Sequence, residues 1–279
     1  MLHKLCWSYK VDMRPLFLIK YTAVFLSFVG VGINIIESFY VYFFNKPVFV
    51  HFYPIKKKLP KNKKVFLAES VAFYQKLTKK QKVYFEHRLA KFIRKYDFIE
   101  RGNFEITPEM KVLIAASYIK LTFGMRKYLT STFDKIIIYP TSFYSPITKL
   151  YHKGEFNPGL KTIVFSWEDF LLGDIVLNDN VNLGIHEFSH ALTFHGRKSK
   201  DVSARIYHRL FEEITSFMDN STNTETIRAS GYFRDYALTN KLEFVAVIME
   251  HFFETPEDLQ QQFPQLYQKI QLMLNYSVV

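Results

Sequence analysis

An apolar run near the N-terminus is the feature that most restricts how this chain can fold. Residues 15–36 (PLFLIKYTAVFLSFVGVGINII) contain one charged residue, Lys20, followed by sixteen uncharged ones. A helix needs about 20 apolar residues to cross a bilayer, and a lysine near one end can reach the interface. The aromatic stretch at residues 39–44 (FYVYFF) resembles an interfacial belt. We predict a tail and a transmembrane helix in residues 1–45. The alternative is a buried helix or strand pair.

Positive charge is concentrated directly after this run. The formal net charge is +11, but residues 46–98 hold 15 Lys and Arg against 3 Asp and Glu, whereas residues 99–279 hold 18 against 21. The run KKKLPKNKK at residues 56–64 either lies along anionic headgroups or is a solvated linker. It has no groove-reading motif, so we expect no nucleic-acid partner. Basic residues flank both ends of the apolar run, so the positive-inside rule does not fix the orientation. We expect a single-pass anchor with the remaining chain on the cytoplasmic side.

The rest of the sequence predicts one helix-rich α+β domain with a small sheet. We expect residues 46–64 to form a basic linker and residues 65–279 to form the domain. Periodicity predicts helices over 71–99, 107–124, 179–195, 201–219 and 240–254, and a last one to about residue 276. Strands are predicted over 134–140 and 161–167, and loops over 152–159 and 221–231. Few strands among many helices exclude a doubly wound sheet.

The segment GIHEFSHALTFHG, residues 184–196, carries two histidines four residues apart with a glutamate after the first. Residues i and i+4 of a helix face the same way, so His186 and His190 can bind one metal ion while Glu187 reaches a water beside it. Two imidazoles and one carboxylate leave a zinc ion one open position. The single cysteine, Cys6, excludes a cysteine-based zinc site. The spacing therefore predicts a Zn²⁺ site of the hydrolase type.

The spacing leaves the third ligand open. The downstream carboxylates on predicted helices are Glu212, Glu213, Glu243, Glu250 and Glu254. Glu243 and Glu250 are seven residues apart on one apolar helix and share a face. Glu243 also suits the third helical position after an Asn240 N-cap, an arrangement that needs no metal. From spacing alone, the ligand and the capping interpretations of Glu243 are equally supported.

Four segments together resemble a known family: TIVFSWEDF, NVNLGIHEFSHAL, DYALTNKLEFVAVIMEHFFETPEDL and FPQLY. Their order and spacing, from about residue 65 to residue 276, are similar to those of the zinc-dependent peptidases of the Mlc titration factor A family. That family resembles the catalytic domain of anthrax lethal factor, a gluzincin. The resemblance assigns site roles as follows: His186, His190 and Glu243 as metal ligands, Glu187 as general base, and Tyr236 as donor to the transition state.

The resemblance implies a membrane-anchored zinc metallopeptidase that hydrolyses peptide bonds, with aminopeptidase-like members known, and a peptide or protein as substrate. The alternative is a regulatory binding protein that keeps the fold and sequesters a partner such as a transcriptional regulator, as the founding member does with a repressor of sugar uptake. Two features depart from the family. Thr193 stands where members often carry an aspartate, and the founding member lacks the N-terminal apolar run.

Two further residues are weaker candidates. His195, five residues after His190, points away from the shared helical face and is expected at the surface or in a loop. Ser166 lacks the G-x-S-x-G elbow of a nucleophile and is expected to pack or to line the cleft. The strand at residues 161–166 is expected to offer its edge to an extended peptide, on the resemblance and on strand chemistry together.

Overall fold

A 31-residue helix, α1 (Arg14–Phe44), opens the part of the chain that the structure describes. The structure is a computed structural model that describes residues 14–176 and 178–276. The N-terminal tail before residue 14, including Cys6, lies outside the described residues. The helix belongs to the first of two compact units, Met1–Phe44 and Asn45–Val279.

From Lys20 to Phe44, α1 is apolar and long enough to cross a membrane, and none of its most apolar stretch is buried. The side chains of Ser27, Asn34 and Ser38 each donate to the backbone carbonyl four residues earlier. Each of these side chains thus places a donor on the backbone of its own helix, which lowers the cost of such groups in contact with lipid. By length and composition α1 is a candidate for a membrane anchor or for a signal sequence.

The second unit is built around a small mixed sheet. Its strands are β1 (Asp97–Glu100), β2 (Lys135–Tyr139), β5 (Gly154–Asn157) and β6 (Thr162–Ser166), while β3 (Phe143–Tyr144) and β4 (Tyr151–His152) form a separate pair. The order in the sheet is β1-β2-β6-β5, with β5 antiparallel to its neighbour and the others parallel. The predicted strands β2 and β6 are confirmed. The expectation that the strand at 161–166 offers its edge is wrong, because β6 is paired on both sides and β5 is the edge strand.

Helices make up most of this unit, so the predicted helix-rich α+β class is confirmed. They are α2 (Lys61–Ser70), α3 (Ala72–Lys76), α4 (Lys79–Lys95), α5 (Pro108–Thr122), α6 (Trp167–Ile175), α7 (Leu183–Lys198), α8 (Val202–Thr215), α9 (Ser221–Ser230), α10 (Lys241–Glu254), α11 (Pro256–Gln262) and α12 (Pro264–Met273). Short 3-10 turns occur at Ser216–Asp219 and Asp235–Leu238.

The predicted helix over residues 71–99 is three elements. Thr78 begins α4 with a capping box, in which its hydroxyl accepts from the Gln81 backbone and the Gln81 side chain accepts from the Thr78 backbone. The chain becomes extended at Tyr96, and β1 pairs in parallel with β2. The helical periodicity is therefore correct only for α4, and a long-range strand pairing determines the end of the segment.

Three other boundaries differ from the sequence prediction. Part of the predicted loop at 152–159 is β5, and the predicted loop at 221–231 contains α9. The segment ahead of the last predicted helix contains α11, which the sequence did not predict, whereas the last predicted helix is confirmed as α12, which begins at Pro264. The remaining predicted helices correspond to α5, α7, α8 and α10.

The motif helix α7 lies in the middle of an aromatic core. The ring of Phe188, which is fully buried, contacts those of Phe92, Tyr118, Phe133 and Phe165, with centroid distances of 5.0–6.2 Å. Removing one such ring from a core costs about 3–5 kcal/mol. This packing holds the backbone of α7 in place on the side opposite its polar face.

The segment before residue 65 is packed against α4 and α5. Arg88 is fully buried and donates to the carbonyl oxygens of Thr122, Phe123 and Met125 at the end of α5 and to the hydroxyl of Tyr53. Leu59 is also buried. The guanidinium satisfies the free carbonyls of a helix end, so the chain ahead of α2 belongs to the same core.

Candidate metal centre

The start of α7 fixes the direction in which its polar face points. Asn182 is the N-cap, and its side-chain oxygen accepts from the Ile185 backbone at 3.0 Å. Its amide donates to the Gly173 carbonyl at 2.7 Å, which ties α7 to α6. Capping satisfies one of the free backbone N–H groups at the start of α7 and fixes its first turn. His186 and Glu187 come directly after that turn.

The two histidines of α7 meet a glutamate from α10. His186 Nε2 lies 2.8 Å from Glu243 Oε2, and His190 Nε2 lies 3.5 Å from Glu243 Oε1. One donor atom from each of the three residues lies within 4.8 Å of the others, and this is a metal-capable cluster within the described residues. Two imidazole nitrogens and one carboxylate oxygen are a donor set that zinc favours.

Glu243 also occupies the capping position that the sequence suggested. Asn240 is the N-cap of α10 and accepts from the backbone of Leu242 and of Glu243. The Glu243 side chain does not return to the cap but turns toward His186 and His190. Helix capping and contact with the histidines therefore coexist at this residue.

The cluster attracts positive charge. Burial lowers the pKa of His186, but hydrogen bonds to Glu243 and Glu250 outweigh it and raise that pKa to about 10. Burial raises the pKa of Glu243, but the contacts with His186 and His190 outweigh it and hold the pKa well below its usual range. The carboxylates thus favour a cation at the place where the imidazole nitrogens converge.

Glu187 is buried beside the cluster, on the neighbouring face of α7. Burial raises its pKa above the ordinary glutamate value, and the nearby His190 and His186 partly oppose this. Gly154 of β5 lies directly against it, since a Cβ at that position would be 2.6 Å from Glu187 Oε1. The edge strand therefore limits where this carboxylate can point.

A buried carboxylate holds His186 from behind. Glu250 is fully buried, and its Oε1 lies 2.5 Å from His186 Nδ1. Arg234 donates to both Glu250 oxygens at 2.8 and 3.0 Å, and the Asn182 backbone donates to Oε2 at 3.1 Å. A carboxylate on one ring nitrogen of a histidine directs the other nitrogen outward. Nε2 of His186 consequently faces Glu243.

Tyr236 lies at the mouth of the cluster, in the 3-10 turn before α10. Its ring centroid is 6.0 Å from that of His186, and about half of the side chain (49%) is exposed. Burial and the neighbouring Glu243 raise the pKa of its phenol, so the hydroxyl keeps its proton near neutral pH.

Comparison with known proteins identifies the family. A family model described as "Glucose-regulated metallo-peptidase M90" matches residues 54–275. This chain belongs to the M90 metallopeptidase family. The M90 match covers the domain described above except its first and last few residues. Membership in a metallopeptidase family implies a metal, and the group of His186, His190 and Glu243 could hold one.

Individual relatives of this M90 chain are distant. The protein slr2042 of Synechocystis sp. is 25% identical over 237 residues, which cover 76% of this chain and 83% of that protein. Mlc titration factor A of Yersinia pestis is 26% identical over 187 residues, which cover 61% of this chain and 68% of the relative. The same identity and coverage are found for Mlc titration factor A of Yersinia pseudotuberculosis. The resemblance to the Mlc titration factor A family is thereby confirmed.

Three other residues that the sequence analysis named, His195, Ser166 and Thr193, lie outside the cluster. The surface prediction for His195 is wrong, because only 4% of it is exposed. It follows the last turn that faces the cluster and is packed at the far end of α7. Ser166 is fully buried and is the N-cap of α6, with its hydroxyl 2.6 Å from Asp169. Thr193 hydrogen-bonds to the Ser189 carbonyl and does not reach the cluster.

Sequence reasoning missed three residues that shape this centre: Gly154, Asn182 and Arg234. They lie in a short strand, at a helix start and in a loop, and their partners are distant along the chain. Asparagine is a preferred N-cap residue, so the position of Asn182 just before the motif helix could have identified it. Nothing local marks Gly154 or Arg234, because their roles depend on tertiary contacts.

The centre opens into a cleft of about 400 Å³. Its walls include His186, Glu187, Tyr236, Gly154, Leu172 and Val181. Leu172 and Val181 are more than half exposed, so the cleft offers apolar surface beside the polar cluster. A cleft with apolar walls and a few convergent polar groups is the usual form of a small-ligand or peptide site.

Proposed function

We propose that this M90 protein is a membrane-anchored zinc peptidase that hydrolyses peptide bonds. The observation that carries the proposal is the convergence of His186, His190 and Glu243 in one cluster, with His186 and Glu187 in the wall of the adjoining cleft. The donor set fits zinc, and the surrounding carboxylates favour a cation there. The family resemblance described above implies the same three ligands.

In this proposal each residue has one task. His186, His190 and Glu243 would hold a zinc ion, which would supply Lewis acidity and make a nearby water molecule more acidic. Glu187 accepts a proton from the attacking water, and burial, which raises its pKa above the ordinary glutamate value, makes its carboxylate a stronger base. Tyr236 donates a hydrogen bond to the carbonyl oxygen as negative charge develops on it.

An extended peptide is the substrate class that the cleft suits best. The edge strand β5 lies next to Glu187, and an edge strand can pair with an extended chain through main-chain hydrogen bonds. Exposed apolar side chains of the opposite wall, such as Leu172 and Val181, would contact substrate side chains.

Membrane attachment through α1 is part of the proposal. The exposed side chains of α1 are mostly large and apolar, among them Phe25, Leu26, Phe28 and Ile36, each at least 66% exposed. A surface with this many exposed apolar side chains is unfavourable in water and is stabilised in hydrocarbon.

A second function is favoured by one relative's name. Mlc titration factor A is named for titrating Mlc, so a chain of this fold can act by binding a regulator. Under this alternative the cluster still binds a metal, but no peptide is cleaved. The partner would be a protein, and the cleft or another surface would bind it.

The decisive experiment uses the full chain in detergent, loaded with zinc, on a library of fluorogenic peptides and aminoacyl arylamides. We expect hydrolysis that a chelator abolishes and added zinc restores. Glu187→Gln should keep one zinc per chain and lose turnover, because the base is not a ligand. His190→Ala should lose both. Metal analysis and rates are measured on the same samples.

The outcomes separate the two functions. Full turnover in Glu187→Gln would rule out the proposed base. Zinc binding without hydrolysis of any library member would favour the regulatory alternative. A protein that stays metal-free after zinc is supplied would contradict both.

A further inference from the structure

A second polar cavity lies at the other end of the motif helix. It has a volume of about 250 Å³ and is lined by four lysines, three hydroxyl side chains, a proline and His195. His195 is nine residues beyond His186, so the cavity is about 13 Å along the helix from the metal centre. No acidic side chain lines the cavity. It is separate from the cleft in which peptide hydrolysis is proposed.

The four lysines reach the cavity from three parts of the chain. Lys127 follows α5, Lys161 lies in the turn between β5 and β6, and Lys198 and Lys200 lie at the end of α7. In the described part of the chain, the lysines that form ion pairs are Lys64, Lys153, Lys241 and Lys269.

The four lysines therefore form no ion pair within the described residues, and the carboxylate that acts on His195 is that of Asp201, which does not line the cavity. The neighbouring Asp201 pairs with Arg126 at 3.3 Å and caps α8. Like charges that converge without a counter-ion repel one another, and an anion between them removes the repulsion.

His195 provides an independent sign of a ligand. It is 96% buried, as its 4% exposure shows, and its Nε2 atom has no hydrogen-bond partner among the described residues. Burial and the charge of Lys127 lower the pKa of His195 to about 4, so the ring is neutral at neutral pH. A buried polar atom without a partner is unfavourable. A neutral imidazole can satisfy Nε2 by donating its proton to an oxyanion.

We propose that this cavity binds a phosphate dianion, either inorganic phosphate or the terminal group of a phosphomonoester. The lysines supply charge, and His195 Nε2–H and the hydroxyl of Ser131 donate to phosphate oxygens. The volume corresponds to roughly eight water-sized groups, which accommodates a phosphate and a few attached atoms. A dianion balances several lysines better than a carboxylate, which carries one charge.

The test is a titration of the full chain in detergent with inorganic phosphate. Calorimetry measures the binding, and NaCl keeps the ionic strength constant. Parallel titrations use glycerol 3-phosphate and phosphatidic acid in mixed micelles. These distinguish free phosphate, a soluble monoester and a lipid headgroup. The site variant is Lys161→Met with Lys198→Met. The matched control is Lys79→Met with Lys80→Met, two exposed lysines of α4.

We expect the site variant to bind its best ligand at least tenfold more weakly than the wild type, since it loses two charges beside a dianion. The control should bind as the wild type does. The ¹⁵N resonance of His195 Nε2 should move on phosphate addition, and much less in the site variant. Thermal unfolding verifies that both variants are folded.

Equal affinity in the site and control variants would overturn the proposal, as would the absence of binding for all three ligands. Binding that the site variant weakens supports it, and the three affinities then identify the source of the phosphate group. Because the readout is binding and not hydrolysis, the result is independent of the proposed peptidase activity.

Discussion

Tyr236 is the residue whose proposed role follows most directly from its position beside the metal cluster. Its phenol lies beside Glu243 and His186, and half of its surface is open to the cleft. The charged groups that act on its hydroxyl are Glu243, Glu187 and Arg234, so the phenol faces the polar cluster. Under the proposed peptidase function, the hydroxyl would donate to the carbonyl oxygen of the substrate as negative charge develops on it.

We predict that Tyr236→Phe lowers kcat by about 10²–10³, the usual effect of removing one oxyanion donor. Zinc content and the unfolding temperature should stay at wild-type values, since the ring is half-exposed and is not a ligand. Tyr151→Phe is the control, because Tyr151 also lines the cleft but lies on β4 and is 74% exposed. Steady-state kinetics of both variants decide the matter. An unchanged kcat in Tyr236→Phe would leave that residue a packing role only.

Glu250 should act through His186 and not as a ligand. Its oxygens are already occupied by His186 Nδ1, Arg234 and the Asn182 backbone. We predict that Glu250→Gln weakens zinc binding by about 10–100-fold, because the amide cannot accept from all these donors or hold the ring equally well. Competition with a chromogenic chelator measures this affinity.

Glu254→Gln is the matched control for that experiment. Glu254 lies one turn later on α10 and accepts from the Asn182 side chain at 3.2 Å, but the contacts of His186 do not include it. Its variant should bind zinc as the wild type does. If both variants bound zinc with wild-type affinity, the hydrogen bond between Glu250 and His186 would have no effect on zinc binding.

At the scale of elements, the contact between β5 and α7 places the edge strand next to the proposed base. We predict that Gly154→Ala reduces turnover at least tenfold and leaves zinc bound, because its methyl group would be 2.6 Å from both Glu187 Oε1 and Leu183 Cδ1. Gly159→Ala is the control, since its nearest neighbour would be 3.4 Å away. Wild-type turnover in Gly154→Ala would mean that the carboxylate shifts without consequence.

The elements that could be predicted from the sequence are those with strong local patterns. The helix periodicity of α7 and α10 and the β-branched runs of β2 and β6 were sufficient. β1 and β5 have four residues each, which is too short for a clear local pattern. β1 forms by pairing with the distant strand β2, and β5 forms a hairpin with β6. The histidine spacing predicted two members of the metal cluster, whereas Glu243 needed the family resemblance, since its spacing equally fits a helix cap.

At the scale of the whole molecule, the chain divides at Phe44. The M90 match begins at residue 54, and the packing of Tyr53 on Arg88 shows that the chain just before residue 65 is part of the domain core. A soluble fragment should therefore begin at Asn45 and not at Val65, because the later start would remove Tyr53 and Leu59 from that core. This choice matters for any test of the anchor.

The last prediction concerns that anchor. The full chain should sediment with membranes and resist both high salt and carbonate, whereas the fragment Asn45–Val279 should be soluble. From Lys20 to Phe44, α1 is about 37 Å long at 1.5 Å per residue, which exceeds the hydrocarbon thickness of about 30 Å. Val29→Arg with Ile33→Arg places two charges near its middle, each unfavourable by about 2.5–3.5 kcal/mol, and should release the chain.

Val65→Arg with Val83→Arg adds the same charges to exposed positions on α2 and α4 and should leave attachment intact. Mass spectrometry of the mature protein separates an anchor from a signal sequence, because an anchor is retained and a signal sequence is removed. Release of the wild type by salt alone would mean that the lysines around residues 56–64 attach it electrostatically, without a spanning helix. A mature chain that lacks α1 would show that the helix directs export instead.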